Sequence, residues 1–146
     1  MVPTFPALTA FMPHRPPMLL LDALVAHDDT SVVVEKTFRA DDIFVEDGCV
    51  SSFVVLELFA QAAAAHFGYA GLQRGGEFSS GALLGTRKID LHVPTLAVGE
   101  LLQVSAKQIF AMPPAAQYEC QLVLASDPSR LLAEGSITVA MGPPPK

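Results

Sequence analysis

The longest apolar stretch of the chain covers residues 51–69 and reads SSFVVLELFAQAAAAHFGY. After its two opening serines, the strongly polar side chains are Glu57, Gln61 and His66. A helix that is apolar on nearly every side must be surrounded by the rest of its domain. The stretch therefore predicts a long central helix in a protein core.

The ends of this predicted helix have local causes. Ser51 and Ser52 are favourable N-cap residues, and Gly68 is a suitable terminator. A membrane-spanning helix needs roughly 20 nearly unbroken apolar residues. Glu57 would lie well inside such a span, where a carboxylate is costly. We therefore expect a core helix and no membrane partner.

The rest of the chain largely alternates between apolar and polar positions, as strands do in a sheet with one wet face. Predicted strands cover residues 18–26, 31–39, 86–93, 100–110, 117–125 and 131–139. The inward-facing side chains of the last two are expected to be Tyr118, Cys120, Leu122, Leu124, Leu131, Ala133, Gly135, Ile137 and Val139. This pattern predicts an α+β fold in which one curved antiparallel sheet of about six strands wraps one helix.

The segments between these elements carry turn chemistry. Residues 98–99, 112–114 and 127–129 separate the later strands with glycine, proline, aspartate and serine. The acidic stretch 40–48 lacks periodicity and predicts a loop that leads to the helix. The glycines and serines of residues 71–81 predict a flexible connection.

Both ends of the chain are rich in proline. Residues 1–17 predict an extended segment across the surface, because each proline removes a donor and disfavours helix at the preceding residue. Residues 142–146, GPPPK, predict an extended or disordered tail. We expect one domain over residues 1–146.

Composition restricts the partners. Charged residues make up 16% of the chain, below the roughly 25% that is typical, which favours a surface covered by a second subunit. The net charge of -6 argues against nucleic acid and anionic membranes. Cys49 and Cys120 have neither CxxC spacing nor a neighbouring His, so we expect no metal and no disulfide framework. The first residues lack the basic region of a secretion signal, and a cytoplasmic location is expected.

Glu57 is the first candidate for chemistry. A carboxylate in a buried helix must be hydrogen-bonded, paired, protonated or next to a cavity. Gln61 lies one turn further along the same face, whereas His66 lies about 180° away. Alternatively, Glu57 only borders the helix start, where negative charge is favourable by roughly 0.3–1 kcal/mol. Spacing alone leaves both readings open.

Three motifs resemble a known family. Residues 12–22, MPHRPPMLLLD, resemble the opening motif LPHRxPxLLxD of the 3-hydroxyacyl-[acyl-carrier-protein] dehydratases. The helix stretch LELFAQAAA at residues 56–64 is similar to their LEAMAQ motif. Residues 81–94, GALLGTRKIDLHVP, are similar to a dehydratase-like subfamily of aryl polyene and related polyketide-type clusters.

The resemblance implies a hotdog fold, a sheet wrapped around one helix, and a dimer. Such dehydratases remove water from a 3-hydroxyacyl thioester that an acyl carrier protein holds on its phosphopantetheine arm. They use a His and a Glu or Asp that meet across the dimer interface, with no metal or diffusible cofactor.

The resemblance also assigns roles to particular residues. It places the acid on Glu57, and burial would help that carboxyl to hold a proton. Backbone N–H groups near Ser51 and Ser52 are expected to polarise the thioester carbonyl. Gln61 is a further candidate for substrate binding, and His14 of the opening motif is a candidate for catalysis.

The sequence departs from the family pattern at the base. The family's His lies in a GHFPxxPxxPG loop fourteen residues before the acid, and that position is Ile43. Ile43 cannot take a proton. We therefore expect a heterodimer in which a second hotdog subunit supplies the His. The rival expectation is a homodimer in which His14 or another His has taken that place.

The other nucleophilic or basic side chains have plainer readings. His14, beside an arginine, is also suited to capping the entry to the first strand. His27 lies in a predicted exposed turn, His92 on the polar face of a strand, and His66 in the core or an interface. Cys49 has no base at fixed spacing, which argues against a nucleophile.

Two other functions remain open for this fold. A thioesterase would use a carboxylate to activate water and would release free thiol. A non-catalytic acyl-binding or assembly subunit would form neither enoyl product nor thiol.

Overall fold

The computed structural model describes residues 4–75 and 80–142. Within them, one α-helix, α1, covers Val55–Gln73. The nine strands of this part are β1 Ala23–His27, β2 Ser31–Thr37, β3 Val45–Glu46, β4 Cys49–Ser51, β5 Ser80–Leu91, β6 Thr95–Ala97, β7 Leu101–Met112, β8 Ala115–Leu124 and β9 Asp127–Gly142. Single 3₁₀ turns cover Leu8–Ala10 and Ser52–Val54.

Six strands form one antiparallel sheet in the order β1-β2-β7-β8-β9-β5. The helix packs against β2, β5, β7, β8 and β9, so the sheet wraps around it. The predicted α+β arrangement is therefore confirmed. Strands β3, β4 and β6 form a second, three-stranded sheet, which the sequence did not predict because its strands have only two or three residues.

The central helix passes a length and hydropathy test for a membrane span over Ser52–Gln73. Its side chains Val55, Leu58, Phe59, Ala62 and Ala63 are nevertheless fully buried. Because the sheet surrounds them, α1 is the predicted core helix.

Gly68 does not end the helix, contrary to expectation, because α1 continues to Gln73. A Cβ at position 68 would overlap the backbone carbonyl of Phe11. Gly68 therefore allows the N-terminal segment to lie directly on the helix.

The N-terminal segment is not simply extended across the surface. It contains the 3₁₀ turn Leu8–Ala10, and Leu8, Phe11 and Met12 are buried in the core. Leu8 and Phe11 are three residues apart and Met12 follows directly, so that all three side chains lie on the inner side of the turn. The segment therefore closes part of the core.

Some predicted boundaries are wrong. The first strand begins at Ala23 rather than at residue 18, because a turn occupies residues 16–18. Residues 127–129 lie inside β9, and the turn before it is at residues 125–126, since Pro128 is tolerated near a strand start. A register shift between β8 and β9 buries Leu132, whereas Leu131 is half-buried.

The rest of the inward face is as predicted for β8, where Tyr118, Cys120, Leu122 and Leu124 are buried. Parts of three predicted segments, residues 1–3 of the N-terminal segment, 76–79 of the connection and 143–146 of the tail, lie outside the described residues.

Candidate active site

Glu57 lies in the first turn of α1 and is half-buried between two cavities. The first, here called the His14 cavity, has a volume of about 180 Å³ and is lined by His14, Glu57, Ala60, Ala64, Phe67, Leu83 and Val139. The second, the Phe44 cavity, has a volume of about 290 Å³ and is lined by Phe44, Val50, Ser51, Phe53, Val54 and Glu57. Glu57 is thus a polar group where a polar and an apolar space meet.

Gln61 holds this carboxylate from the next turn of the helix. Its Nε2 donates to Glu57 Oε1 at 2.9 Å and to the Met18 carbonyl at 2.8 Å. Its Oε1 accepts from the Leu20 N–H at 2.9 Å. Gln61 is fully buried and lines neither cavity. Within the described residues, its polar atoms therefore contact Glu57 and the backbone of Met18 and Leu20, and direct binding of substrate by Gln61 stays a prediction.

His14 is half-buried and lines the same cavity as Glu57. Burial lowers the pKa of the imidazole, and the Glu57 carboxylate opposes part of that shift. Its Nδ1 is buried with no hydrogen-bond partner among the described residues. A neutral imidazole with a free ring nitrogen is able to accept a hydrogen bond or a proton.

The two serines before the helix differ in their hydrogen bonds and in their position relative to the cavities. The Ser52 N–H donates to the Pro94 carbonyl at 3.1 Å, and polarisation of a thioester by the other N–H groups near Ser51 and Ser52 stays a prediction. Ser51 lines the Phe44 cavity, and its Oγ accepts a long hydrogen bond of 3.4 Å from the Phe53 N–H.

Ile43 is 49% exposed and lines neither cavity. Its neighbour Phe44 lines the apolar one. Lys36 anchors this loop, because its buried Nζ lies 3.3 Å from Asp42 Oδ2 and 3.8 Å from Asp22 Oδ1. The loop that carries the family's His therefore brings a phenylalanine, and no imidazole, to Glu57.

His66 lies at the other end of the helix in a buried hydrogen-bonded group. Its Nε2 lies 3.1 Å from the Asp28 carbonyl and its Nδ1 2.7 Å from the Tyr118 hydroxyl. Because a carbonyl only accepts, Nε2 carries the proton and Nδ1 accepts from the tyrosine. Burial, followed by the nearby His27, lowers the pKa of His66. His66 is thus a buried and hydrogen-bonded residue of the core, as the sequence indicated.

The sequence suggested that His27 lies in an exposed turn, but the structure places it at the end of β1. Its ring stacks on that of His66 at 5.0 Å, and its Nε2 donates to the His66 carbonyl at 2.9 Å. The chain reversal at residues 28–30 follows β1, so that His27 still belongs to the strand.

The remaining candidates have no catalytic setting. His92 is exposed and pairs with Glu134 at 3.0 Å, as expected for a surface residue. The Cys49 thiol donates to the Glu46 carbonyl at 3.6 Å. Across residues 4–75 and 80–142, His, Cys, Asp and Glu form no group of three that would hold a metal ion.

Sequence reasoning missed two features of this site. The apolar cavity depends on Phe44 and Phe53, which are 41% and 82% exposed. The available signal in the sequence was the presence of these two phenylalanines in and just after the acidic loop. The second feature is that His14 and Glu57 line the same cavity. Both residues lie in motifs of the family, which was the available signal, but their separation along the chain did not indicate that they share a cavity.

Comparisons with known proteins identify the family and the fold of the chain. The ApeP-like family model, described as ApeP dehydratase, matches residues 6–145. No curated protein sequence matches the chain. Among solved structures, a chain of the dehydratase heterocomplex ApeI:P from Xenorhabdus doucetiae is 22% identical, with a TM-score of 0.89 over 95% of this chain and 93% of that one.

More distant structures share the fold. A hypothetical thioesterase protein from Streptococcus pneumoniae, solved with coenzyme A, is 11% identical, with a TM-score of 0.64 over 85% of this chain and 90% of that one. Thioesterase superfamily member 2 from zebrafish is 17% identical, with a TM-score of 0.66 over 91% and 90% of the two chains. At these identities the likeness shows the hotdog fold alone.

Proposed function

Because this chain belongs to the ApeP-like dehydratase family, we propose that it is a subunit of a dehydratase that acts on 3-hydroxyacyl thioesters of an acyl carrier protein. The observation that carries the proposal is the position of Glu57, half-buried where the two cavities meet and held by Gln61. The apolar lining of the Phe44 cavity suits an acyl chain.

Dehydration needs two positioned groups. A base takes the C2 proton of the substrate, its electrons form the C2–C3 double bond, and the C3–O bond breaks as an acid protonates the leaving hydroxyl to water. Each positioned group contributes roughly 10² to 10⁴-fold. Glu57 is the proposed acid.

We assign the base to a second hotdog subunit. Ile43 stands where the family has its His, and the loop that bears it is anchored by the Lys36–Asp42 ion pair. The dehydratase heterocomplex ApeI:P, which contains a chain of the same fold, supports this assignment. A chain that keeps Glu57 but lacks the His completes one site of such a pair.

His14 is the competing base, and a specific observation supports it. Its imidazole lines the cavity with Glu57, its pKa is lowered by burial, and its Nδ1 has no partner among the described residues. In that case, a homodimer would need no other subunit.

One assay separates these assignments. Purified chain is incubated with a 3-hydroxyacyl thioester, alone and with a hotdog subunit that carries the GHFP-type His. We expect near-zero enoyl product alone and full turnover in the mixture. Robust dehydration by the chain alone, abolished by His14→Ala, would reject the partner-supplied base. His92→Ala is the matched control, because that imidazole lies on the surface.

The same assay tests the other functions of the fold. Release of free thiol from a saturated acyl thioester would indicate a thioesterase, and neither product would indicate an acyl-binding subunit. We further propose a cytoplasmic location and a reaction without diffusible cofactor, as in the dehydratases that the motifs resemble.

A further inference from the structure

Gln61 has a role that neither its motif nor its burial assigns. We infer that Gln61 is a positioning residue that selects Oε2 of Glu57 as the oxygen that transfers the proton. This inference rests on the proposed function of Glu57 and specifies which of its atoms acts.

The orientation of the Gln61 amide is fixed by its backbone partners. The Leu20 N–H, which can only donate, lies 2.9 Å from Oε1, and the Met18 carbonyl, which can only accept, lies 2.8 Å from Nε2. Exchanging the amide oxygen and nitrogen would oppose donor to donor and acceptor to acceptor. The group that meets Glu57 is therefore the NH₂.

The consequence falls on the two oxygens of Glu57. An N–H of Gln61 donates to Oε1 at 2.9 Å, and an N–H cannot accept a proton in return. No residue in the described part of the chain donates a hydrogen bond to Oε2. When Glu57 is protonated, its proton thus lies on Oε2, the oxygen left for the cavities that Glu57 lines.

The same amide also ties the segment that follows His14 to the central helix. Met18 and Leu20 follow His14 in the N-terminal segment, and Gln61 ties both to the helix that carries Glu57. Both N–H groups and the oxygen of this fully buried amide are bonded, which fits a rigid support, because a partly bonded amide there would be costly.

Two substitutions of Gln61 test the inference in the dehydratase complex. Gln61→Met keeps the length of the side chain and removes its hydrogen bonds. We expect kcat to fall roughly 10 to 100-fold with little change in KM, since misplacing a reacting group by about 1 Å costs about that much. Gln61→Glu keeps the acceptor for Leu20 and places a carboxyl against Oε1. The pair would then share a proton, which displaces the pH–rate profile to higher pH.

A double substitution separates positioning from structure. In the Glu57→Gln background, Gln61→Met should lower the residual rate less than about 2-fold, because Gln61 acts through Glu57. Gln117→Met is the matched control: this half-buried glutamine on β8 donates to Ser136 at 3.1 Å and touches neither cavity. We expect it to leave kcat and the pH profile unchanged.

The outcomes are distinguishable. If Glu57→Gln is inactive while both Gln61 variants keep the wild-type kcat and pH profile, this inference is overturned and the proposed function stands. If Glu57→Gln turns over at the wild-type rate, the proposed function is rejected and this inference with it. If Gln61→Met does not fold, the pH profile of Gln61→Glu decides alone.

Discussion

Glu57 is the residue on which the proposed chemistry depends. Replacing it with Gln preserves size and the bond from Gln61 but removes the transferable proton. We expect Glu57→Gln to keep the melting temperature of the complex within a few degrees and to lower enoyl formation by roughly 10² to 10⁴-fold. Glu119→Gln, an exposed change on β8, is the control, and turnover near wild type in the Glu57 variant would contradict the assignment.

His66 is expected to matter for stability rather than for catalysis. Truncating it opens a cavity and leaves the buried Tyr118 hydroxyl unpaired. His66→Ala should therefore lower the free energy of unfolding by roughly 2–4 kcal/mol, whereas His92→Ala on the surface should change it by less than about 0.5 kcal/mol. Denaturant unfolding measures both. Unchanged stability with lost activity would show that His66 acts in the reaction.

His66 also predicts how stability depends on pH. Its folded pKa lies below the ordinary value of 6.5 because of burial and the neighbouring His27. The unfolded chain then binds the proton first, so this contribution is complete above pH 6.5 and is lost as the pH falls toward the folded pKa, by at most about 1.4 kcal/mol per pH unit. Urea midpoints from pH 8 to 5 measure the slope, and His66→Phe should make it shallower.

The site could be predicted from the sequence only as far as motifs reach. Glu57 and the departure at Ile43 follow from counting within the helix and the loop before it. The position of His14 in the same cavity does not, because it depends on how the N-terminal segment packs against the helix. The hydrogen bonds of the Gln61 amide could not be predicted either, because its partners include backbone groups of Met18 and Leu20, more than forty residues away along the chain.

Among the elements, those with strong periodicity were predicted and the weak ones were not. The apolar helix and the long strands β7 and β8 appear where expected, because many alternating or buried positions support each one. Strands β3, β4 and β6 are too short to show a period. Gly68 looked like a helix end because glycine is common there, but its small size serves the contact with Phe11.

That contact gives a prediction for the central helix. In an open helix, Gly→Ala stabilises by roughly 1 kcal/mol. At position 68 the added methyl group overlaps the Phe11 carbonyl, so Gly68→Ala should instead destabilise the fold by roughly 1–3 kcal/mol. Gly85→Ala is the matched control, since its Cβ would meet no atom within 4 Å. Thermal unfolding of the two variants tests this, and a stabilised Gly68→Ala would contradict the packing.

At the scale of the whole molecule, strand β5 is an edge of the described sheet and carries Leu83 and Leu84, which are 39% and 60% exposed. An apolar edge of this kind favours pairing with another chain. We expect a dimer in light scattering and weaker association for Leu84→Asp. The control is Leu101→Asp, at the start of β7 and away from this edge. A monomeric mass at micromolar concentration would contradict this.

The contact between Phe11 and Gly68 also has a consequence during synthesis. The apolar residues Leu8, Phe11 and Met12 leave the ribosome before Gly68, which follows Phe11 by 57 residues. At roughly 5–20 residues per second, their docking surface is completed about 3–11 s later. The apolar side chains of this segment therefore cannot reach their place on the helix during that interval, and they remain open to chaperones or to a partner subunit until then.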